Sequence, residues 1–488
     1  MFVAEGAVGD GAYLFAARRA YIDLALALID TIQPTDEKFR PRYTDLYTKM
    51  EFPLDSGGSV TVSSLYGRDT NLIDKRGVVD DLDSAYENSV TWLRWRGPED
   101  DRLSVEAMPY VGHASGARAE GETDWDNRDL TYVGARGVAR VAAGSAHSME
   151  AGVELRAASG VYDYRETISP FPELSDSPDR IDVTADVGGL DASVYGQDEW
   201  RLSDRAGAVY GMRAHWQSYR PGLALSPRGA VAVRFLPGTT WRVGMGSVAQ
   251  PVGPSNVPVE SGVGDATAPE RAAHLVVGME TTSGPRLSVR VEAYYKGLSD
   301  LTGRDRDIGR KSQYYRVSGS GTAYGWELFA RGRPGSAASW TAGYAYAVSE
   351  RNDGDATYPS DFDRRHATLF NASADVTESA TLTAAWRFHT GTPVSPAHFV
   401  RDDEGRVTSA SVGLPDDGVR TPPFHSLDVR LTKAYRFATW SMTAYLQVTN
   451  AYARDNVQEY SYDAAMGYVR VEENFLPVTP TFGLTARF

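Results

Sequence analysis

Apolar and polar residues alternate along this chain with a period of two, and that pattern admits little except β-structure. Leu287, Val289, Val291, Ala293 and Tyr295 share one face of a strand, and Ser288, Arg290, Glu292, Tyr294 and Lys296 share the other. Leu382, Ala384, Trp386 and Phe388 oppose Thr383, Ala385, Arg387 and His389 in the same way. Trp440, Met442, Ala444, Leu446 and Val448 oppose Ser441, Thr443, Tyr445, Gln447 and Thr449. The chain closes on the pattern: Phe482, Leu484, Ala486 and Phe488 fall on one face, and Thr481, Gly483, Thr485 and Arg487 on the other. No polar tail follows Phe488. One such strand suits the edge of a soluble sandwich as well as the wall of a membrane barrel.

The connections separate the two. Asp10-Gly11 is a tight hairpin signal, and short turns are expected near 55–58, 98–101, 143–146, 203–206, 237–240, 282–285, 334–337, 378–380 and 437–439. Long loops are expected near 23–42, 165–190, 251–269, 299–315, 351–363, 392–424 and 451–478, with one shorter connection near 220–225. Short turns alternating with long loops about ten times over give about 21 strands, a barrel with short periplasmic turns and long outer loops. Trp241, Trp340 and Trp440 follow short turns, as an interfacial aromatic girdle requires. The odd count makes the first and last strands run the same way. An antiparallel closure then needs one more strand ahead of Met1, so about 21 of about 22 strands are expected here.

Composition agrees. No apolar run reaches the roughly 18–20 residues of a spanning helix; Leu24 to Ile29 is the nearest, bracketed by Asp23 and Asp30. A spanning chain without such a helix must close into a barrel, since lipid tolerates no unpaired strand edge. The net charge of −14 argues against nucleic acid as a partner. The absence of Cys excludes disulfides, thiolate metal sites and Cys nucleophiles. Met1-Phe-Val-Ala-Glu5 does not read as a signal peptide. No composition shift divides the chain, and residues 1–488 are expected to form one domain.

Catalytic and metal chemistry leave no trace. His113, His147, His215, His274, His366, His389, His398 and His425 have no metal-site spacing and are read as lumen, loop or turn residues. No nucleophile elbow, P-loop or dinucleotide fingerprint is present. Asp80-Asp81-Leu-Asp83 reads as a solvated acidic loop. Arg18 and Arg19 resemble a clamp, but on a strand they point to opposite faces. No cofactor, metal site or catalytic residue is expected.

Several ordered segments resemble the barrel of TonB-dependent outer-membrane receptors. They are Ala16-Ala-Arg-Arg-Ala-Tyr-Ile-Asp23, Gly246-Ser-Val-Ala-Gln250-Pro251, Pro269-Glu270-Arg271, Glu292-Ala-Tyr-Tyr-Lys296, Leu298-Ser-Asp-Leu301 and Gly325-Trp-Glu-Leu328. Asp363-Arg-Arg-His366, Gly391-Thr-Pro393, His425-Ser-Leu-Asp-Val-Arg430, Leu446-Gln-Val-Thr-Asn450 and Asn456 continue the series to the terminal strand. Each is weak alone; their order and spacing are specific.

The resemblance implies an all-β antiparallel transmembrane barrel of about 22 strands around an amino-terminal plug preceded by a TonB box. It implies uptake of a scarce solute in the outer membrane of a Gram-negative bacterium, and siderophore, cobalamin, sugar and peptide receptors share this barrel. It implies that the lipid-facing row Phe482, Leu484, Ala486 and Phe488 is an assembly signal for the barrel-assembly machinery. The expected partners are outer-membrane lipid, that machinery, an unknown small solute, and the TonB complex if a plug lies upstream. The sequence departs from the family plan in showing no plug, TonB box or signal peptide. A passive pore, a nonfunctional receptor fragment and a barrel enzyme are the alternatives.

Overall fold

The computed structural model describes the chain apart from residues 21–22, 24–36, 76–81, 99, 101, 122, 168–179, 255–256, 258, 260–268, 285, 305–314, 355, 464–468 and 476. One antiparallel sheet of 23 strands dominates it. Two of these, Glu37–Phe39 and Thr357–Pro359, are three-residue additions above the wall, which leaves 21 wall strands, 23 less 2. Each wall strand pairs antiparallel with its sequence neighbour, from Phe2–Val8 against Gly11–Arg19 to Ser441–Thr449 against Thr479–Arg487. The first and last strands therefore run the same way, and among the described residues no ladder joins them. Two-stranded sheets decorate the outer loops, one between Ala397–Arg401 and Val407–Val412, another between Val457–Asp463 and Val469–Asn474.

Exposure follows the alternation. Leu190, Val194, Trp200 and Leu202 all share one parity on the Arg180–Ser203 strand and are exposed, whereas Asp191 and Ser193 on the other parity are buried. Apolar side chains thus point outward to lipid and polar ones into the lumen. Trp241 projects outward near its short turn, and Trp440 stacks between Phe437 and the terminal Phe488 with ring centroids 4.0 and 5.8 Å apart. Tyr295, Tyr324, Trp326 and Tyr344 form a second aromatic patch toward the outer loops.

The strands are longer than the sequence pattern suggests. Ser59–Lys75, Leu103–Glu120 and Arg180–Ser203 outrun the expected segments, and residues 180–190 are strand, not loop. At about 3.3 Å per residue, 24 residues exceed a tilted span of about 10 residues more than twofold. Two outer connections are as short as the inner turns: residues 121–123, and Ser218-Tyr219. The shorter connection expected near 220–225 lies at Ser218-Tyr219, residues 220–225 being strand, and the one at 121–123 is a second departure from the alternation. The expected loop 23–42 lies mostly outside the described residues, as do Asp80 and Asp81; Asp83 is in a strand facing Leu72 and Ala119.

Above the membrane the polarity of the wall reverses. Ile181 and Val187 face inward and are buried, while Asp182, Thr184 and Asp186 face outward. With Leu130, Tyr162 and Tyr164 they form a small apolar cluster, completed by Val257 and Val259 from the loop after Thr239–Gln250. That loop crosses inward over several strands. The Tyr162 hydroxyl donates to the Pro254 carbonyl (2.5 Å), and Gln217 Nε2 donates to the Val252 carbonyl (3.2 Å).

Candidate functional site: the lumen and its outer mouth

Below the inward loop the luminal wall is polar and paired. Asp191 is buried and accepts from Arg156 Nη2 (2.7 Å), the Tyr219 hydroxyl (2.6 Å) and Gln217 Nε2 (2.9 Å). His215 Nε2 lies 3.6 Å from the same carboxylate. One level down, Arg213 Nη2 donates to Ser193 Oγ (2.7 Å) and Glu154 Oε2 (3.2 Å). Lower still, Glu150 accepts from Arg140 Nε and the Tyr195 hydroxyl. These residues share the inward parity of adjacent strands, so period two alone stacks them into a charged column. Near the periplasmic end a cavity of about 570 Å³ is lined by Arg201, Arg205, Arg234 and Arg242 with Glu199 and Asp204. Such a wall can hydrogen-bond a polar solute or a protein segment.

The outer ends of the strands are tied by buried latches. Asp363, whose side chain is fully buried, accepts from Arg420 Nη2 (2.6 Å), Arg365 Nε (3.0 Å) and the Ser349 amide (2.7 Å). Arg420 Nη1 also donates to the carbonyls of Asp363 (2.9 Å) and Gly391 (3.1 Å). Three outer segments that are far apart in sequence therefore meet at one carboxylate. Gly391 is required there: a Cβ at that position would sit 1.6 Å from the Thr421 carbonyl oxygen.

A second latch closes the last strands. Asn456 imitates a backbone partner, accepting from the His425 amide and donating to the His425 carbonyl, both at 3.0 Å. Asn450, with a left-handed φ of 53°, donates its amide to Asp428 Oδ1 (3.0 Å) and receives the Arg454 amide on Oδ1 (3.1 Å). Asp428 is held in turn by Arg387 and Ser426. Leu298-Ser-Asp-Leu301 is a bulge in which Asp300 takes a φ of 56° and Arg271 Nε reaches its carboxylate (3.6 Å). The short segments singled out in the sequence are thus mostly strand-end fastenings.

The remaining sequence expectations divide. Arg18 and Arg19 do point apart, Arg18 Nε to Asp45 (2.6 Å) and Arg19 to Asp23 (3.2 Å). Phe482, Leu484 and Phe488 are highly exposed on the outward face, Phe482 opposite Leu446 and Leu484 opposite Ala444. The histidines were expected in lumen, loops or turns, yet His113, His147 and His366 project outward from strands, beside Thr131, Asp198 and Tyr344. Each falls on the parity of exposed apolar neighbours, a signal that only the register supplies. Among the described residues no group of three or more His, Asp or Glu is placed to hold a metal.

Comparison with known proteins gives the geometry a family. The family model "TonB dependent receptor-like, beta-barrel" matches residues 20–451. No match was found among curated proteins. Of solved structures, the ferric-catecholate import receptor Fiu of E. coli K12 superimposes with a TM-score of 0.71 at 12% identity, over 99% of this chain and 78% of Fiu. The copper transporter OprC gives 0.71 at 16%, over 99% and 76%. The ferric citrate transporter FecA gives 0.67 at 16%, over 99% and 75%. At such identities these likenesses speak for the fold, and the family match speaks for descent: the chain belongs to the TonB-dependent receptor-like β-barrel family.

Proposed function

We propose that this chain is the barrel of an outer-membrane receptor that takes up a scarce solute, an iron–siderophore complex foremost, in a Gram-negative bacterium. The supporting observation is the arrangement of the mouth: an inward loop and buried latches fix the outer rim above a polar, charge-paired lumen. Fiu and FecA, which share the fold, are by name a ferric-catecholate import receptor and a ferric citrate transporter. Energy coupling through TonB belongs to this reading only if a plug with a TonB box lies upstream. The wall is wide enough to hold a plug at this strand number. The outward row Phe482, Leu484, Ala486 and Phe488 is proposed as the signal for the barrel-assembly machinery.

The test is uptake of labelled ferric chelates by cells producing the protein as encoded in its genome, with and without TonB. Saturable uptake that disappears without TonB is the expected result. Uptake that is linear in concentration and indifferent to TonB would make it a passive pore. The basic cavity at the periplasmic end suits an acidic protein segment, which favours the plugged receptor over the pore.

A further inference from the structure

We infer that the luminal wall between Ser59–Lys75 and Asp124–Ala143 binds a hexopyranose ring in a trough centred on Asn88. On these strands Val62, Leu93, Val111 and Val133 share the exposed, outward parity that faces lipid. The opposite parity faces the lumen, and there it carries aromatic and aliphatic side chains where a water-filled wall would be polar. Three luminal rungs of the ladder shape the trough. Asp69 pairs with Tyr86 on the upper rung, and Gly67, Asn88 and Ala114 lie side by side on the middle one. Leu65 and Tyr132 belong to the lower rung, above a pair of Trp92 and Tyr110. Two residues of strand, roughly 6.6 Å, separate successive rungs. The middle rung is thus a low floor between two higher edges.

The rings at the edges are laid flat. Tyr86 leans over Gly116 and Tyr132 over Gly112, where a Cβ would stand 3.0 Å from Tyr86 Cδ1 and 2.2 Å from Tyr132 Cζ. Each ring rests on glycine backbone and turns its other face to the lumen. Tyr195 on Gly152 and Tyr445 on Gly483 are bedded in the same way, as rings that support a wall at its glycines. Those two are committed, because Glu150 holds the Tyr195 hydroxyl and the Arg430 guanidinium covers the Tyr445 ring at 3.9 Å. The trough is open: Tyr86 is 47% and Leu65 41% exposed, and Asn88 and Asp69 are exposed too. Among the described residues the side chains of Tyr86, Asn88 and Asp69 have no hydrogen-bond or ion-pair partner.

The chemistry of the trough selects its occupant. A wholly apolar guest would strip water from Asn88 and Asp69 and return no hydrogen bond. An anion would meet the Asp69 carboxylate, and the nearby Arg18 is already committed to Asp45. A hexopyranose carries both parts that the trough asks for: a C–H face that packs on a flat ring, and hydroxyls around its edge. The Asn88 amide can donate and accept at once, and the Asp69 carboxylate can accept from two adjacent hydroxyls. Aromatic walls with a few convergent polar groups are the usual build of a small-molecule site. The site deepens the receptor reading by naming a part of the solute, and rests on that reading for transport only. The ring arrives on a plain oligosaccharide or on a glycosylated iron chelate, and the chemistry at the wall is the same.

The test uses the protein as encoded in its genome, purified in mild detergent and applied to an array of immobilised hexopyranosides, with choline and benzoate as control ligands. Saturable binding to at least one hexopyranoside is expected, with neither control held. Y86A and N88A should each weaken it about tenfold, whereas Y445A, which removes a ring bedded elsewhere, should leave it unchanged. A diazirine derivative of the bound sugar should label wild-type peptides within residues 82–96, a readout that needs no variant to assemble. Competition by a glucosylated ferric chelate but not by its unglycosylated parent would place the ring on an iron complex; competition by the plain saccharide alone would place it on an oligosaccharide, and both uphold the site. No hexopyranoside retained, equal binding in Y86A and N88A, or labelling elsewhere would overturn it. Preference for choline would make it a cation site, and a benzophenone side chain at position 86 that captures a segment of the protein itself would show the trough covered by polypeptide; either result overturns the assignment. Failure on the array with TonB-dependent uptake intact refutes this site alone, whereas loss of that uptake refutes the receptor reading and leaves sugar binding standing.

Discussion

Replacing Asp363 with alanine tests whether buried charge holds the outer loops. The carboxylate is fully buried, and the guanidiniums of Arg420 and Arg365 are 18% and 23% exposed. Removing it leaves two largely buried cations facing each other and the Ser349 amide without its acceptor. Breaking a buried pair from one side costs about 3–5 kcal/mol. At about 1.4 kcal/mol per decade, the opened population of these loops should rise by roughly two to three and a half orders of magnitude. The wall should be untouched, because its ladders do not pass through Asp363. Hydrogen exchange separates the two levels. The Ser360 amide, bonded to the Ser349 carbonyl, and the Thr421 amide, bonded to the Thr392 carbonyl, keep their own acceptors in D363A. Their exchange should accelerate with loop opening, while amides in Leu287–Arg304 stay protected. D363N, which keeps an acceptor for Ser349 but loses the charge, should fall between, at about 1.5–3 kcal/mol. Exchange at Ser360 and Thr421 within about twofold of wild type in D363A would refute the latch.

Gly391→Ala should displace the 392–424 loop and speed its proteolysis on intact cells, since its Cβ cannot coexist with the Thr421 carbonyl 1.6 Å away; an unchanged digestion pattern counts against that contact. Protease added to intact cells should cut in the loops near 165–180 and 392–424 and spare 98–101 and 334–337; the reverse pattern inverts the topology. Deleting Phe488 or making it charged should reduce heat-modifiable, assembled barrel far more than changing Arg487, because the two side chains face lipid and lumen; equal losses would remove that distinction. In the outer hairpin, the Arg406 amide foremost holds the Asp402 carboxyl below its ordinary value near 3.8. A depressed folded pKa gives stabilisation that is present above that value and lost as pH falls through the folded one. Exchange at Glu404 and Arg406 should therefore stay slow until the pH drops below the ordinary carboxylate range, and acceleration already at pH 5–6 would contradict it.

Much of the wall was legible because one rule governs it. Leu287 to Tyr295 and Phe482 to Phe488 alternate with a single phase, and the structure places them as read. Residues 180–190 alternate equally well, yet Gly188-Gly189 and a change of phase hide them. Ile181 and Val187 are apolar on the inward parity, Leu190 and Val194 on the outward one. The strand is continuous while its surroundings change from water and loop to lipid, and period two carries no marker of that boundary. The latches were legible only as short motifs. Asp363 and Arg420 stand 57 residues apart, and nothing local says that they meet. His147 and Asp198 are 51 apart, and their shared outward face depends on register across the Trp200 pair.

The latches also explain why motif residues cluster at strand ends. Among the described residues the order of the wall comes mainly from ladders, in which every strand but the first and the last is fixed by two neighbours. Above the lipid that support fades, since loops leave the ladder and water competes for every backbone group. A buried carboxylate there costs desolvation, but once paired with two guanidiniums and an amide it accepts only one arrangement of the segments around it. Asn456 against His425 works by the same principle without charge, extending the ladder by a side chain where the backbone has turned away. The bases of the outer loops are thereby fixed, while the hairpins beyond them, such as Ala397–Val412, hang from those bases. Substitutions in the hairpin tips should then alter what the mouth contacts at little cost to the wall, whereas substitutions at Asp363, Gly391, Asn450 or Asn456 should alter every loop they fasten.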